Sequence, residues 1–145
     1  MVRGLVIASL VWPIALGSLG VARSLDPASS WAAVGYAALS RICHQRPERS
    51  FHTGGVQWPV CARCAGLYLA APIGAIAAWW RRRGRPRPGL VWLAAAAAPT
   101  VMSVAAEVTG LWPGAPVLRA AAALPLGAAV AAVLVREADR PRSVD

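Results

Sequence analysis

The chain has 145 residues and a mass of 15.1 kDa, room for one domain. Apolar residues make up 57% and charged residues only 14%, with a mean hydropathy of +0.51, whereas a water-facing surface uses roughly 25% charged residues. That excludes an ordinary soluble domain, and it excludes a disordered chain, which is poor in apolar side chains; the solvent that suits this composition is a lipid bilayer.

Read from the N-terminus, residues 4–22 carry no charge and are bracketed by Arg3 and Arg23. That is enough for a helix across the hydrocarbon, which takes about 20 residues. The same segment also has the layout of a signal peptide, with Arg3 ahead of it and Gly20-Val21-Ala22 at its end. Its unbroken length and the charge balance of the whole chain favour a retained span. Residues 28–43 read as a short amphipathic helix along the membrane interface. Ser29 or Ser30 caps its start, Trp31, Val34, Ala38 and Ile42 recur at helical spacing, and Trp31 and Tyr36 lie at headgroup level. It ends at Cys43-His44, because Pro47 disfavours continuation, and a polar turn over 45–55 follows.

The second span covers 61–80, with Trp79 and Trp80 as interfacial anchors. The segment RRRGRPRPG at 81–89 leads to a third span, 88–107, closed by Glu107. The fourth span, 116–135, places Pro116 in its first turn, where proline is tolerated. Pro13, Pro72, Pro99 and Pro125 lie inside spans, and the alanine runs 94–98 and 120–123, with Gly66 and Gly74, offer close helix contact.

All fifteen basic residues are Arg, a bias that a GC-rich genome explains. Five fall at 81–87 and three more, Arg136, Arg140 and Arg142, in the tail, each cluster directly after an uncharged stretch. Charges placed this way set topology, so nucleic acid is set aside as a partner despite the net charge of +9. The 81–89 loop and the C-terminus are expected in the cytoplasm of a bacterium, and loop 23–60 outside. The expected architecture is all-α: residues 1–145 form a single integral membrane domain, a four-helix transmembrane bundle, N-in/C-in, with a short interfacial helix in the first outer loop. Its partners are the lipid bilayer, and either self-association or a membrane partner.

All three cysteines and both histidines fall between Cys43 and Cys64. Cys61-x-x-Cys64 brings two sulfurs within reach of one metal or of each other, and Cys43-His44 supplies further ligands. Zinc takes mixed Cys/His sets. Cys43, Cys61, Cys64 and His44 are therefore candidate metal ligands, for zinc or alternatively iron. His52 reads as a loop histidine.

The order Cys43-His44-Gln45, Pro47, Arg49-Ser50-Phe51 and Cys61-Ala62-Arg63-Cys64-Ala65-Gly66-Leu67-Tyr68 resembles a small predicted membrane-protein family of bacteria and archaea, a domain of unknown function. The resemblance implies that Cys43, His44, Gln45, Arg49, Ser50, Cys61, Arg63, Cys64, Gly66 and Tyr68 are signature residues. It supplies no activity. The resemblance also implies that many relatives carry an Asp early in the third span, where this chain has Ser103.

Glu107, Arg119 and Arg63 all fall at the outer ends of spans, in the layer of the cysteines, at about 1.5 Å of rise per residue. Ionisable groups at membrane depth are costly and usually pair, so a Glu107–Arg119 pair is expected, with Arg63 beside the thiols. Three readings follow. A metal site would be structural, or hydrolytic with Glu107 as base; Glu107, Arg63 and Arg119 are the candidate catalytic groups. A thiol–disulfide oxidoreductase linked to quinone is the second, since the layout is similar to the disulfide-generating quinone reductases, although this chain has only three cysteines. The third is a non-enzymatic scaffold with a disulfide-stapled loop. Arg49 and Ser50 could bind an anion or bond the loop backbone.

Overall fold

The computed structural model describes residues 1–81 and 89–139. Helix α1 spans Val2–Leu25, α2 Ser30–Leu39, α3 Ala62–Trp80, α4 Leu90–Val108 and α5 Pro116–Ala138. Between α2 and α3 lie a 3-10 turn, Pro47–Arg49, and two strands, β1 at Ser50–Thr53 and β2 at Val56–Cys61. Helices α1, α3, α4 and α5 are each long and apolar enough to cross a membrane. Their outward faces carry bare aliphatics such as Ile7, Ile14, Ile73 and Val101, the surface a bilayer would cover. The chain is thus an all-α membrane bundle. Residues 82–88, which hold most of the basic loop, and Arg140 and Arg142 lie outside the described residues.

The bundle is held by one seam. On α3, Ala62, Gly66, Ala70, Gly74 and Ala78 are all buried and recur every fourth residue. On α5, Arg119, Ala123, Gly127, Ala131 and Val135 do the same. A Cβ on Gly66 would run into the Ala120 carbonyl, one on Gly74 into that of Ala128, and one on Gly127 into that of Leu67. In lipid there is no hydrophobic drive between helices, so close backbone approach and dispersion must supply the attraction. Helix α1 packs at one end through Val2 and Val6 against Ala75, Ala78, Ala131 and Val135. Helix α4 is peripheral: Ser103 is its buried residue, and Thr100 Oγ1 donates to the Ala122 carbonyl at 2.8 Å. The alanine run 94–98, expected to pack, instead lies exposed or half-exposed on this helix.

The polar turn expected over 45–55 is largely ordered as a β-hairpin. Gly54 and Gly55 have φ of +58° and +77°, the double left-handed geometry of a two-residue hairpin turn. Thr53 pairs with Val56 and His52 with Gln57, and a bulge then shifts the register so that Ser50 faces Cys61. Pro59 lies in that irregular stretch, where a strand can do without its N–H. Pro59 and Val60 are fully buried. With Leu16 of α1, Leu39 of α2, Cys43 and Ala65, Val60 forms a second apolar cluster at this end of the bundle, hereafter the hairpin end.

Helix α2 is shorter than expected, ending at Leu39 and followed by turn hydrogen bonds from Ile42 N–H and Cys43 N–H to the Leu39 carbonyl. Neither Ser29 nor Ser30 caps it through a side chain; the entry is shaped by Asp26 Oδ1, which accepts from Ala28 N–H at 2.9 Å. Trp31, Val34 and Ile42 face outward, as an interfacial helix requires. Tyr36 does not: its hydroxyl donates to the Gln57 carbonyl at 2.6 Å and ties α2 to β2.

The seam makes a direct prediction. Gly74→Val puts a branched side chain onto the Ala128 carbonyl and should cost about 1–3 kcal/mol, the range for overpacking. Gly17→Ala, where a Cβ meets nothing within 4 Å, should leave the unfolding midpoint in mixed micelles unchanged. Equal midpoints for the two variants would refute the close approach.

Candidate functional site

At the hairpin end three helix termini meet around one carboxylate. Glu107, in the last turn of α4, accepts from Arg63 Nη2 at 2.5 Å and from Arg119 Nε at 2.9 Å, both through Oε1. Arg63 comes from the first turn of α3 and Arg119 from that of α5. The Glu107 side chain is 9% exposed, Arg119 7% and Arg63 18%. Such charges persist at this depth because each is paired. Arg119 is saturated further: Nη1 donates to the Glu48 carbonyl at 3.0 Å and Nη2 to that of Pro113 at 2.9 Å. Arg63 Nη2 also donates to Ser103 Oγ at 2.9 Å, so this buried serine is a hydrogen-bond partner of the cluster. Arg63 Nε is buried without a hydrogen-bond partner among the described residues. The turn from α4 to α5 passes so close that Gly114, at φ +67°, has Glu107 Oε1 2.5 Å from where a Cβ would sit; only glycine fits there.

The expected Glu107–Arg119 pair is therefore present, and Arg63 is its third member. With two donors on Oε1, Glu107 ties α4 to both α3 and α5.

The thiols lie beside this cluster. Cys43 is buried; Cys61 and Cys64 are half-buried, and all three are free. Cys61 caps α3, and its N–H donates to Cys43 Sγ at 3.2 Å. Burial acts to raise the Cys43 thiol. Hydrogen bonds from the Cys61 and Gln45 backbone, and from the Cys61 and Cys64 thiols, outweigh it and hold Cys43 below the ordinary cysteine range. Burial pushes Cys61 up, and charge on Cys43 adds to the rise, against a hydrogen bond from the Arg46 backbone. Cys43, Cys61 and Cys64 line a cavity of about 380 Å³ together with His44, Arg46, Arg49, Arg63 and Arg119. His52 sits apart on β1. Among the described residues no three His, Cys, Asp or Glu side chains are already grouped as metal ligands.

The other residues singled out around the cysteines build the frame. Gln45, at φ +47°, spends its side-chain amide on the Tyr36 and Pro59 carbonyls, both at 2.8 Å. Its own carbonyl accepts from Gln57 Nε2. Ser50 is buried and its Oγ donates to the Arg46 carbonyl at 2.8 Å, so it bonds the loop backbone, whereas Arg49 faces the cavity. Tyr68 packs edge-on against Trp12 of α1, ring centroids 5.8 Å apart. Arg46 was not among the expected site residues. The signal was its spacing from Arg49, since residues three apart eclipse on a 3-10 turn.

A family model described as "Predicted membrane protein (DUF2085)" matches residues 43–133, from the first cysteine into α5. The chain belongs to this family. An uncharacterized protein of Methanocaldococcus jannaschii is 51% identical over 41 residues, 28% of this chain and 26% of that protein. One from Methanothermobacter thermautotrophicus is 57% identical over 30 residues, 21% of this chain and 27% of its own length. The chain thus spans about a quarter of the length of these curated relatives. No solved structure matches it significantly.

The geometry makes two predictions. Glu107→Gln leaves two buried guanidinium groups without their carboxylate and should cost about 3–5 kcal/mol, as breaking a buried pair does, read from the unfolding midpoint in mixed micelles. A cost under about 1 kcal/mol, the worth of an exposed pair, would place the cluster in water. The second concerns the thiols. In a pH series with a small methanethiosulfonate reagent, peptide mapping should show Cys43 labelled at lower pH than Cys61, because Cys43 is shifted down and Cys61 up. The opposite order would contradict the hydrogen bonding to Cys43 Sγ.

Proposed function

We propose that this small membrane protein holds a thiolate-rich metal site, for zinc in the first instance, at the extracytoplasmic face of the bilayer, with Cys43, Cys61 and Cys64 as sulfur ligands and His44 as the fourth. The observation that carries the reading is convergence. Cys43 and His44 are separated from the Cys61-x-x-Cys64 pair by the whole hairpin, yet all four line one cavity. Zinc takes Cys₃His sets readily, and side-chain rotation would bring the donors onto an ion. Three thiolates on one divalent ion carry a net negative charge, which suits a cavity lined by four arginines. The orientation rests on the arginine segment 81–89 as the cytoplasmic loop.

A second reading, thiol–disulfide exchange, is favoured by the hydrogen bond from Cys61 N–H to Cys43 Sγ at 3.2 Å. That contact stabilises a thiolate able to attack a partner's disulfide, and two further thiols stand ready to resolve the mixed disulfide.

Elemental analysis of detergent-purified protein separates the two. The metal reading expects near one zinc per chain, lost in Cys61→Ala and reduced in His44→Ala. Protein without metal even after zinc loading under reducing conditions, with Cys43 trapped in a disulfide, would overturn it in favour of exchange.

A further inference from the structure

The charge around the cavity does not balance, and the excess has a direction. Four guanidinium groups line it, from Arg46, Arg49, Arg63 and Arg119, and no carboxylate is among its described lining residues. Glu107, the nearest buried acid, is shared by Arg63 and Arg119. Glu48 is the other acid in reach. It stands 3.9 Å from both Arg46 Nη1 and Arg49 Nε, with all three side chains about half exposed, too far for a charge-assisted hydrogen bond. Arg119 is fully engaged by Glu107 and two carbonyls. Arg46 and Arg49, by contrast, cap and end the 3-10 turn, and each meets a carboxylate only at 3.9 Å.

Position narrows the ligand. The cavity opens where α3 and α5 begin and α4 ends, the level at which lipid phosphates lie when these helices span a bilayer. Its volume of about 380 Å³ falls in the usual range for small-molecule sites, roughly 300–1,000 Å³, so it admits a phosphate and leaves room for a group esterified to it. Arginine forks match phosphate oxygens two at a time.

We infer that this cavity binds a phosphate-bearing anion, a free phosphate or phosphate monoester or the headgroup of an anionic phospholipid, with Arg46 and Arg49 as its recognising pair. The inference goes beyond the metal reading and does not depend on it, since it stands on the arginines alone.

The test uses full-length protein, reduced and treated with chelator, so that metal plays no part. Inorganic phosphate binding is measured by calorimetry in a neutral sugar detergent, for wild type and for the Arg46→Gln/Arg49→Gln double variant. Both residues are exposed, so the variant should keep the wild-type melting temperature. In parallel, retention of phosphatidylglycerol over phosphatidylcholine is measured by native mass spectrometry after reconstitution into mixed vesicles. Phosphate binding weakened about tenfold or more in the variant, the loss expected for charge-assisted bonds, with no lipid preference in the wild type, identifies a soluble phosphate ligand. Preferential phosphatidylglycerol retention that disappears in the variant identifies a lipid headgroup. No phosphate binding and no lipid preference in wild type, or equal behaviour of wild type and a well-folded variant, overturns the inference. Zinc content of the wild type and of Cys61→Ala, measured separately with all four arginines in place, reports on the metal reading, so the two fail independently.

Discussion

The carboxylate of Glu107 is the point on which the hairpin end of this protein depends. A charge at this depth cannot be left alone, and α4 has little else to hold it, with Ser103 its buried residue. By accepting from Arg63 of α3 and Arg119 of α5, Glu107 draws three helix termini together. Arg119 then extends the cluster to the carbonyls of Glu48 and Pro113, fixing the 3-10 turn and the α4–α5 connection. Because Arg63 stands between Cys61 and Cys64 in the chain, placing its guanidinium places the thiols as well.

The site is built on a rigid base with a separately assembled cover. The base is the α3–α5 seam, where small residues every fourth position let backbones touch. The cover is α2, the 3-10 turn and the hairpin, sewn together by Tyr36, Gln45, Ser50 and Gln57 through bonds that mostly end on carbonyls. The residues of the cysteine-bearing motif therefore have separate roles. Gln45 and Ser50 shape the loop, Arg63 joins the charge cluster, and the cysteines with Arg49 face the cavity. The arginines of this one cavity would balance either an anionic metal centre at the thiols or a phosphate at its mouth, because each is a negative charge.

Much of this was readable along the chain. Four uncharged stretches announced the four long helices, and depth counted at the helical rise put Glu107 and Arg119 in one layer before any contact was known. The link from Glu107 to Arg63 was not readable, since depth says nothing about which side of a helix a residue faces. The hairpin was missed because its apolar alternation is broken by a bulge and by Pro59, although Gly54-Gly55 is a hairpin signal. Tyr36 looked like an interfacial anchor and instead bonds Gln57. The alanine run 94–98 promised packing, but α4 meets its neighbours along a narrow edge and leaves most of that run outside.

By itself the sequence determined how many helices are long enough to cross a membrane and which short segment carries all the cysteines and histidines. Those properties are local, set by hydropathy over about 20 residues and by the position of charge. Only the tertiary structure decided that α3 packs on α5 rather than on α4, and that Cys43 and Arg49 share a cavity with Cys61 and Arg119. An apolar helix surface is as well solvated by lipid as by protein, so hydropathy cannot choose its partner; steric fit between glycines and carbonyls, and the pairing of three buried charges, make that choice.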